Sequence, residues 1–102
     1  MPRASRMPTL SGKETVILEL LLEGHEMYGL ELVDASRRRL KRGTVYVTLL
    51  RMEEKGYVES RLEAPDGSTP GLPRRLYRAT VTGRQLYDLL TMVRAKLRLE
   101  PA

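Results

Sequence analysis

Apolar residues along the chain recur at helical spacing in several separate stretches, and the polar residues between them mark where each stretch begins and ends. The clearest is Arg42 to Gly56. There Val45, Leu49 and Met52 fall at i, i+4 and i+7, one stripe of a helix. Thr44, Val47 and Arg51 fall roughly opposite, with Tyr46 and Thr48 on the flanks. Gly43-Thr44 stands where a first turn or cap is expected, and Gly56 where a left-handed residue ends a helix. Lys55 suits the negative end of the helix dipole. Upstream, Ser11 and Glu14 form a capping-box pattern ahead of Val16-Ile17-Leu18-Glu19-Leu20-Leu21-Leu22, which predicts a first helix stopped by Gly24. Tyr28-Gly29 leads into a second helix, with Leu30, Leu32 and Val33 expected to face inward and a basic run, Arg37 to Arg42, at its end.

Downstream, the period changes. Tyr57 to Leu62 and Arg74 to Val81 read as strands around a turn-rich loop containing Pro65, Asp66, Gly67, Pro70, Gly71 and Pro73. In the second strand, alternation puts Leu76 and Arg78 on one face and Arg75 and Tyr77 on the other. Thr82 and Gln85 form a second capping-box pattern, and Leu86, Leu89, Leu90, Val93 and Leu97 continue as a last helix. The predicted fold class is therefore mainly α with a small β-hairpin wing, α+β: a winged helix-turn-helix with an added C-terminal helix. Its division is a basic N-terminal tail over 1–10, a winged-helix domain over 11–81 and a C-terminal helix over 82–102. Apolar residues cover most of the first helix, and Met92 and Leu99 widen the stripe of the last beyond what one small core needs. The excess predicts a homodimer, with Leu18, Leu21 and Leu22 shared between core and contact, and with Leu89, Met92, Val93 and Leu97 supplying the rest.

Size and composition narrow the function. A chain of 102 residues suits one domain, and 41% hydrophobic with 30% charged residues is globular. A net charge of +5 favours an acidic partner, nucleic acid ahead of an anionic membrane. Placement is more telling than the sum. Arg37, Arg38, Arg39, Lys41 and Arg42 stand immediately before the organising helix. They read either as a solvated helix end or as a phosphate anchor, and their position favours the anchor, with Arg38, Arg39, Lys41 and Arg42 as the contacts. Arg3 and Arg6 fit a solvated terminus better than a basic arm reaching the DNA backbone or minor groove. With no cysteine, disulfides and thiolate chemistry are excluded. No apolar run is long enough to span a bilayer and no secretory signal precedes the first helix, so the expected location is the cytoplasm. His25, the single histidine, reads as a turn or cap residue. No paired carboxylates, phosphate-cradling glycine loop or nucleophile motif is present, so no catalytic residue, metal or cofactor is expected and an enzyme is not.

Several ordered segments together resemble the PadR-type transcriptional regulators. They are Tyr28-Gly29-Leu30-Glu31-Leu32; Gly43-Thr44-Val45-Tyr46 with Leu49, Arg51, Met52, Glu53, Gly56 and Tyr57-Val58; and Pro73-Arg74-Arg75 with Tyr77, Arg78, Thr80, Thr82 and Gly83. The resemblance covers roughly Leu18 to Leu90. It implies that Thr44, Tyr46, Val47, Thr48 and Arg51 lie at the major groove of double-stranded DNA. It also implies that the wing, with Arg74 and Arg75 beside its tip, touches the phosphate backbone or minor groove, and that the last helix pairs with the first across a dimer. Two-fold symmetry then calls for a pseudo-palindromic operator with half-sites about one helical turn apart or a simple multiple. The implied function is a homodimeric repressor, released by a small-molecule effector only if that effector binds the DNA-free arrangement better. This chain departs from the pattern at Val47, where relatives often carry Pro, and at Leu50, where a polar residue is usual. It has no Trp, so the stacking of flat drugs between paired tryptophans seen in some short relatives does not carry over. It also ends sooner than many relatives, which predicts a smaller dimer contact. The competing expectation is a winged helix used as a protein-interaction module, supported by Leu50 and the apolar terminal helices. A third is a basic domain that coats nucleic acid without sequence choice.

Overall fold

The first helix opens on a reciprocal pair of hydrogen bonds. The Glu14 amide donates to the Ser11 hydroxyl at 3.2 Å, and the Ser11 amide donates to the Glu14 carboxylate at 2.9 Å. The computed structural model describes residues 9–63 and 73–99. In chain order its elements are α1 (Gly12–Gly24), β1 (Met27–Tyr28), α2 (Gly29–Ala35), α3 (Arg42–Glu54), β2 (Val58–Leu62), β3 (Arg75–Ala79) and α4 (Val81–Leu99). The strands form one antiparallel sheet in the order β1-β3-β2. Among the described residues the result is a winged-helix α+β fold, as the apolar pattern predicts. Residues 1–8, 64–72 and 100–102 fall outside the description, and with them Arg3, Arg6, the prolines Pro65 and Pro70 of the expected wing tip and the end of the expected last helix.

The core joins every layer. Ile17, Leu18 and Leu21 of α1, Leu32 of α2, Leu40 of the following turn, Val45, Leu49 and Met52 of α3, and Val58 of β2 are almost wholly buried. Each such side chain contributes about 1.5–3 kcal/mol on leaving water. The predicted α3 stripe is therefore the core stripe. Leu18, 0% exposed, and Leu21, 1% exposed, lie wholly inside the protomer and have no surface to offer a second chain. The expectation that they are shared with a dimer contact is corrected; of the three, only Leu22, half-buried, keeps an open edge. Leu10 is also buried in the core, so the predicted tail over 1–10 ends too late.

Several boundaries move for identifiable reasons. His25, not Gly24, is the left-handed residue after α1, with φ 70°, and its amide closes on Leu21 at 2.8 Å. Met27-Tyr28, just ahead of the second helix, is a two-residue strand paired to β3, with Met27 opposite Tyr77 and Tyr28 opposite Leu76. In α2, Leu32 is buried and Val33 half-buried, but Leu30 is exposed. That helix stops at Ala35 and does not run into the basic cluster. The buried Ser36 hydroxyl donates to the Val33 carbonyl at 2.8 Å and accepts from the Leu40 amide at 2.9 Å, replacing helical bonds with a local turn. α3 begins at Arg42 with Lys41 before it, so Gly43-Thr44 lies inside the first turn and not at the cap.

The end of α3 is as expected. Gly56 has φ 81°; its amide donates to Glu53 at 3.0 Å and the Tyr57 amide donates to Met52 at 2.8 Å, a Schellman closure. The Tyr57 carbonyl then accepts from the Thr80 amide at 3.0 Å. Thr80, not Thr82, caps α4: its hydroxyl accepts from the Gly83 amide at 3.0 Å, and its carbonyl accepts from the Arg84 amide at 2.9 Å. The expected Thr82–Gln85 box is displaced because Gly83 must lie against the Tyr57 carbonyl, where a Cβ would overlap the backbone.

Gly83→Ala forces that overlap against backbone atoms with little freedom to move. Overpacking of this kind should lower stability by about 1–3 kcal/mol in chemical denaturation; an unchanged midpoint would show that α4 parts freely from Tyr57. A second prediction concerns Glu14. Burial opposes its ionisation, but the Ser11 amide and Lys55, with Nζ 3.0 Å from the carboxylate, outweigh burial and hold its carboxyl below the ordinary glutamate value. A pKa lowered by folding gives stability that is present above the unfolded value and lost as the pH falls through the folded one. Glu14→Gln should therefore lose stability at neutral pH and show a flatter acid limb when denaturation midpoints are compared between neutral and acid pH.

Candidate functional site

α3 divides cleanly between a buried and an open side. Val45, Leu49 and Met52 are buried, while Thr44, Tyr46, Val47, Leu50 and Arg51 are exposed and Thr48 is half-exposed. All five residues predicted to face a partner on this helix, Thr44, Tyr46, Val47, Thr48 and Arg51, thus reach the outside. Their roles differ. Tyr46 is a wedge between helices: a Cβ on Gly29 of α2 would come within 2.5 Å of its ring. Glycine at position 29 is what lets the ring approach α2 this closely. The Thr48 hydroxyl donates to the Thr44 carbonyl at 3.1 Å, and the Thr44 hydroxyl reaches back to the Lys41 carbonyl at 3.5 Å. With their protons turned toward the helix backbone, both hydroxyls offer acceptor lone pairs outward.

Thr44, Val47, Thr48, Arg51 and Lys55 form one wall of an open groove whose other wall is Ser11, Lys13 and Glu14 at the start of α1. Its chemistry is mixed: hydroxyls, one small apolar side chain and three cations. Lys55 is tied to Glu14, whereas Arg51 and Lys13 make no ion pair among the described residues. Lys13 and Lys55 are members of this groove that spacing along α3 alone does not identify.

The basic run before α3 occupies a turn, not a helix end. Arg37, Arg38, Arg39, Lys41 and Arg42 are all exposed, and among the described residues none makes an ion pair. The turn itself is held from inside. Leu40 is buried in the core, Ser36 is fully buried, and the Arg39 amide donates to the Ser36 carbonyl at 3.2 Å.

The wing handles its charges differently. On the sheet face turned away from α3, Arg78 meets Glu59 at 2.6 Å, Arg61 meets Glu26 through two hydrogen bonds of 2.9 and 3.0 Å, and Arg74 meets Glu63 at 3.7 Å. The Arg61 hydrogen bonds are the chief reason the Glu26 carboxyl lies below its ordinary value. Arg74 also stacks 4.2 Å from the Tyr28 ring, and the Tyr28 hydroxyl donates to Glu63 at 2.6 Å. Leu76 is buried beside this lattice and apart from the main core. Arg75 points the other way: it donates to the Ser60 hydroxyl at 3.0 Å, which donates to Glu53 of α3 at 2.7 Å. Arg74 and Arg75, expected to act together, lie on opposite faces, and only Arg75 is on the side of α3.

The predicted dimerisation residues of α4 are open. Leu89 is 50% exposed, Met92 67%, Val93 44% and Leu97 68%, while Leu86 is buried and Tyr87, half-buried, donates to Glu19 of α1 at 3.1 Å. The helix thus packs on α1 by its first turns only. Among the described residues, no cluster of three or more His, Asp or Glu side chains is placed to hold a metal. No described helix is long and apolar enough to cross a membrane.

Comparison with known proteins agrees with this architecture. The pattern of the "Transcriptional regulator PadR-like family" matches residues 17–89. No curated protein matches the sequence. Among solved structures, a PadR family transcription regulator from Clostridium difficile is similar at 26% identity and a TM-score of 0.73, over 86% of this chain and 92% of that one. A transcriptional regulator from Clostridium thermocellum is similar at 26% identity and a TM-score of 0.64, over 83% of this chain and 84% of that one. Bacillus subtilis PadR, solved in complex with operator DNA, shares the fold at 21% identity and a TM-score of 0.68, over 94% of this chain and 52% of that longer one. The segments that match include α3, its closing glycine and the strands behind it, and the chain belongs to the PadR-like family of transcriptional regulators.

Proposed function

We propose that this protein binds double-stranded DNA sequence-specifically as a homodimer and represses transcription by occupying a pseudo-palindromic operator. The observation that carries the reading is the segregation of charge. Apart from Lys55, which pairs with Glu14, the cations around α3 make no ion pair among the described residues, whereas those on the far face of the sheet are neutralised by their own glutamates. A surface built only for solubility has no reason to pair one set and spare the other. In this reading α3 enters the major groove. Arg51 reads a base edge, Thr44 and Thr48 accept from base amino groups, and Val47 touches a thymine methyl. Arg38, Arg39, Lys41 and Arg42 hold the phosphates beside the groove, and Arg75 extends the contact from the wing. The Bacillus subtilis relative with operator DNA supports the placement of the fold on a duplex. The proposed site of action is the cytoplasm, with no cofactor, and any effector would act by preferring the DNA-free arrangement.

The open stripe Leu89, Met92, Val93 and Leu97 supports the dimer, with the half-buried Leu22 of α1 as a further candidate. An isolated protomer would leave this stripe in water, and a second copy with the same stripe covers it symmetrically. The domain division follows: α1 to β3 as the DNA-binding unit and α4 as the dimerisation helix. The exposed Leu50 and Leu62, 57% and 56% exposed, favour a second reading, a protein-interaction module.

Two experiments test these readings. Arg51→Ala should weaken binding to the operator by about 1–3 kcal/mol and relax preference at one base position, as measured by titration against operator and scrambled duplexes. If charge reversal at Arg51 leaves activity intact but Leu50→Glu removes it, the interaction module replaces the regulator. The Leu89→Glu, Val93→Glu double variant should shift the protein to monomer in sedimentation, weakening self-association on the order of 100-fold or more, since two buried apolar side chains per protomer are lost.

A further inference from the structure

Two consecutive arginines in the turn before α3 stand in the left-handed region of backbone space: Arg37 with φ 54° and Arg38 with φ 73°. For residues with a Cβ this conformation is unfavourable, and glycine or asparagine ordinarily takes such positions. The conformation is imposed from beneath. The Ser36 hydroxyl bridges the Val33 carbonyl and the Leu40 amide, the Arg37 amide donates to Asp34 at 3.3 Å, the Arg39 amide returns to Ser36, and Leu40 is anchored in the core. Any residue at 37 or 38 must therefore be left-handed, and its identity is a choice about the side chain alone.

Among the described residues, nothing within the protomer rewards arginine there. Both side chains are exposed and, among the described residues, neither makes an ion pair or a side-chain hydrogen bond. Arg39 differs: its Nε reaches the Ser36 carbonyl at 3.4 Å, and its φ is not positive. Arginine kept at two exposed positions where the fold imposes a left-handed backbone, and where glycine would relieve the strain, marks a functional constraint. We infer that Arg37 and Arg38 form a phosphate clamp, two guanidiniums held on a rigid turn at the threshold of α3, which grips the DNA backbone at the edge of the major groove and is kept at the expense of folding stability. Arg37 is thereby added to the interface, from which the helical reading of the basic run omits it. The inference rests on the proposal that α3 docks on DNA.

Glycine makes the test clean, because it relieves the backbone instead of disrupting it. Arg37→Gly and Arg38→Gly should each raise the melting temperature by a few degrees. Each should also weaken operator and scrambled duplexes by the same factor and reduce the slope of log K against log salt by roughly one unit per lost phosphate contact. Arg37→Lys and Arg38→Lys should keep the slope, because the charge remains. Glycine variants that are more stable but show an unchanged salt slope would overturn the clamp, and glycine variants with lowered melting temperatures would overturn the strain on which it rests. Wild-type protein that binds no duplex even at low salt would remove the DNA-binding proposal itself, and the clamp with it; wild-type binding with unaltered glycine variants removes the clamp alone.

Discussion

The backbone of Tyr57 joins the helix that carries the site to the rest of the molecule. Its amide closes α3 on Met52, and its carbonyl accepts from Thr80 and is covered by Gly83. Between them, these two groups end α3, start β2, locate the end of β3 and seat the first turn of α4. Gly56 makes the geometry available through its left-handed φ, and the buried Tyr57 ring and Val58 secure it to the core. Because these groups are buried polar atoms with defined partners, displacing one would leave another unsatisfied. The orientation of α3 relative to the wing is therefore set by backbone hydrogen bonds and close approach, not by long surface side chains free to change rotamer.

With α3 held this way, charge is distributed around it by two rules. On the far face of the sheet each arginine meets a glutamate, so that Arg61, Arg74 and Arg78 contribute little field beyond their partners. Exposed pairs of this kind add little stability. Their larger effect is to remove positive charge from the side of the protein that does not face α3. On the near side, the basic turn, Arg51 and Arg75 lack carboxylate partners among the described residues, so their positive charge stays unneutralised around α3. Field focused in this way steers a polyanion to one face.

The same small size explains the open α4 stripe. The core occupies α1, α2, α3 and the inner face of the sheet, and it draws on α4 only at Leu86 with Tyr87 and Leu90 alongside. A domain of 102 residues has too little interior to bury a 19-residue helix along its length. The remaining turns carry Leu89, Met92, Val93 and Leu97 into solvent, which is the basis of the proposed association with a second copy.

Much of this was legible in the residues themselves. Period alone identified the α3 stripe Val45, Leu49 and Met52, and turn chemistry identified Gly56 as its stop and Ser11 as the cap of α1, because each rests on local spacing and intrinsic backbone preference. The exposed face of α3 followed from the buried one by geometry, and the family from the ordered combination of segments. What tertiary structure decided were the matters in which distant parts of the chain compete for the same atoms. Leu18 and Leu21 vanished into the protomer core because three elements converge on them. Thr80 displaced Thr82 as a cap because the Tyr57 carbonyl leaves room only for glycine at 83. Met27-Tyr28 became a strand because β3 offers an edge that no pattern of two residues can announce. The basic run became a left-handed turn because a buried serine and a buried leucine pull its ends inward. Local sequence sets periodicity and caps, which depend on neighbours a few residues away. Packing and hydrogen-bond competition decide which side chains face out, because those depend on what the folded chain brings beside them.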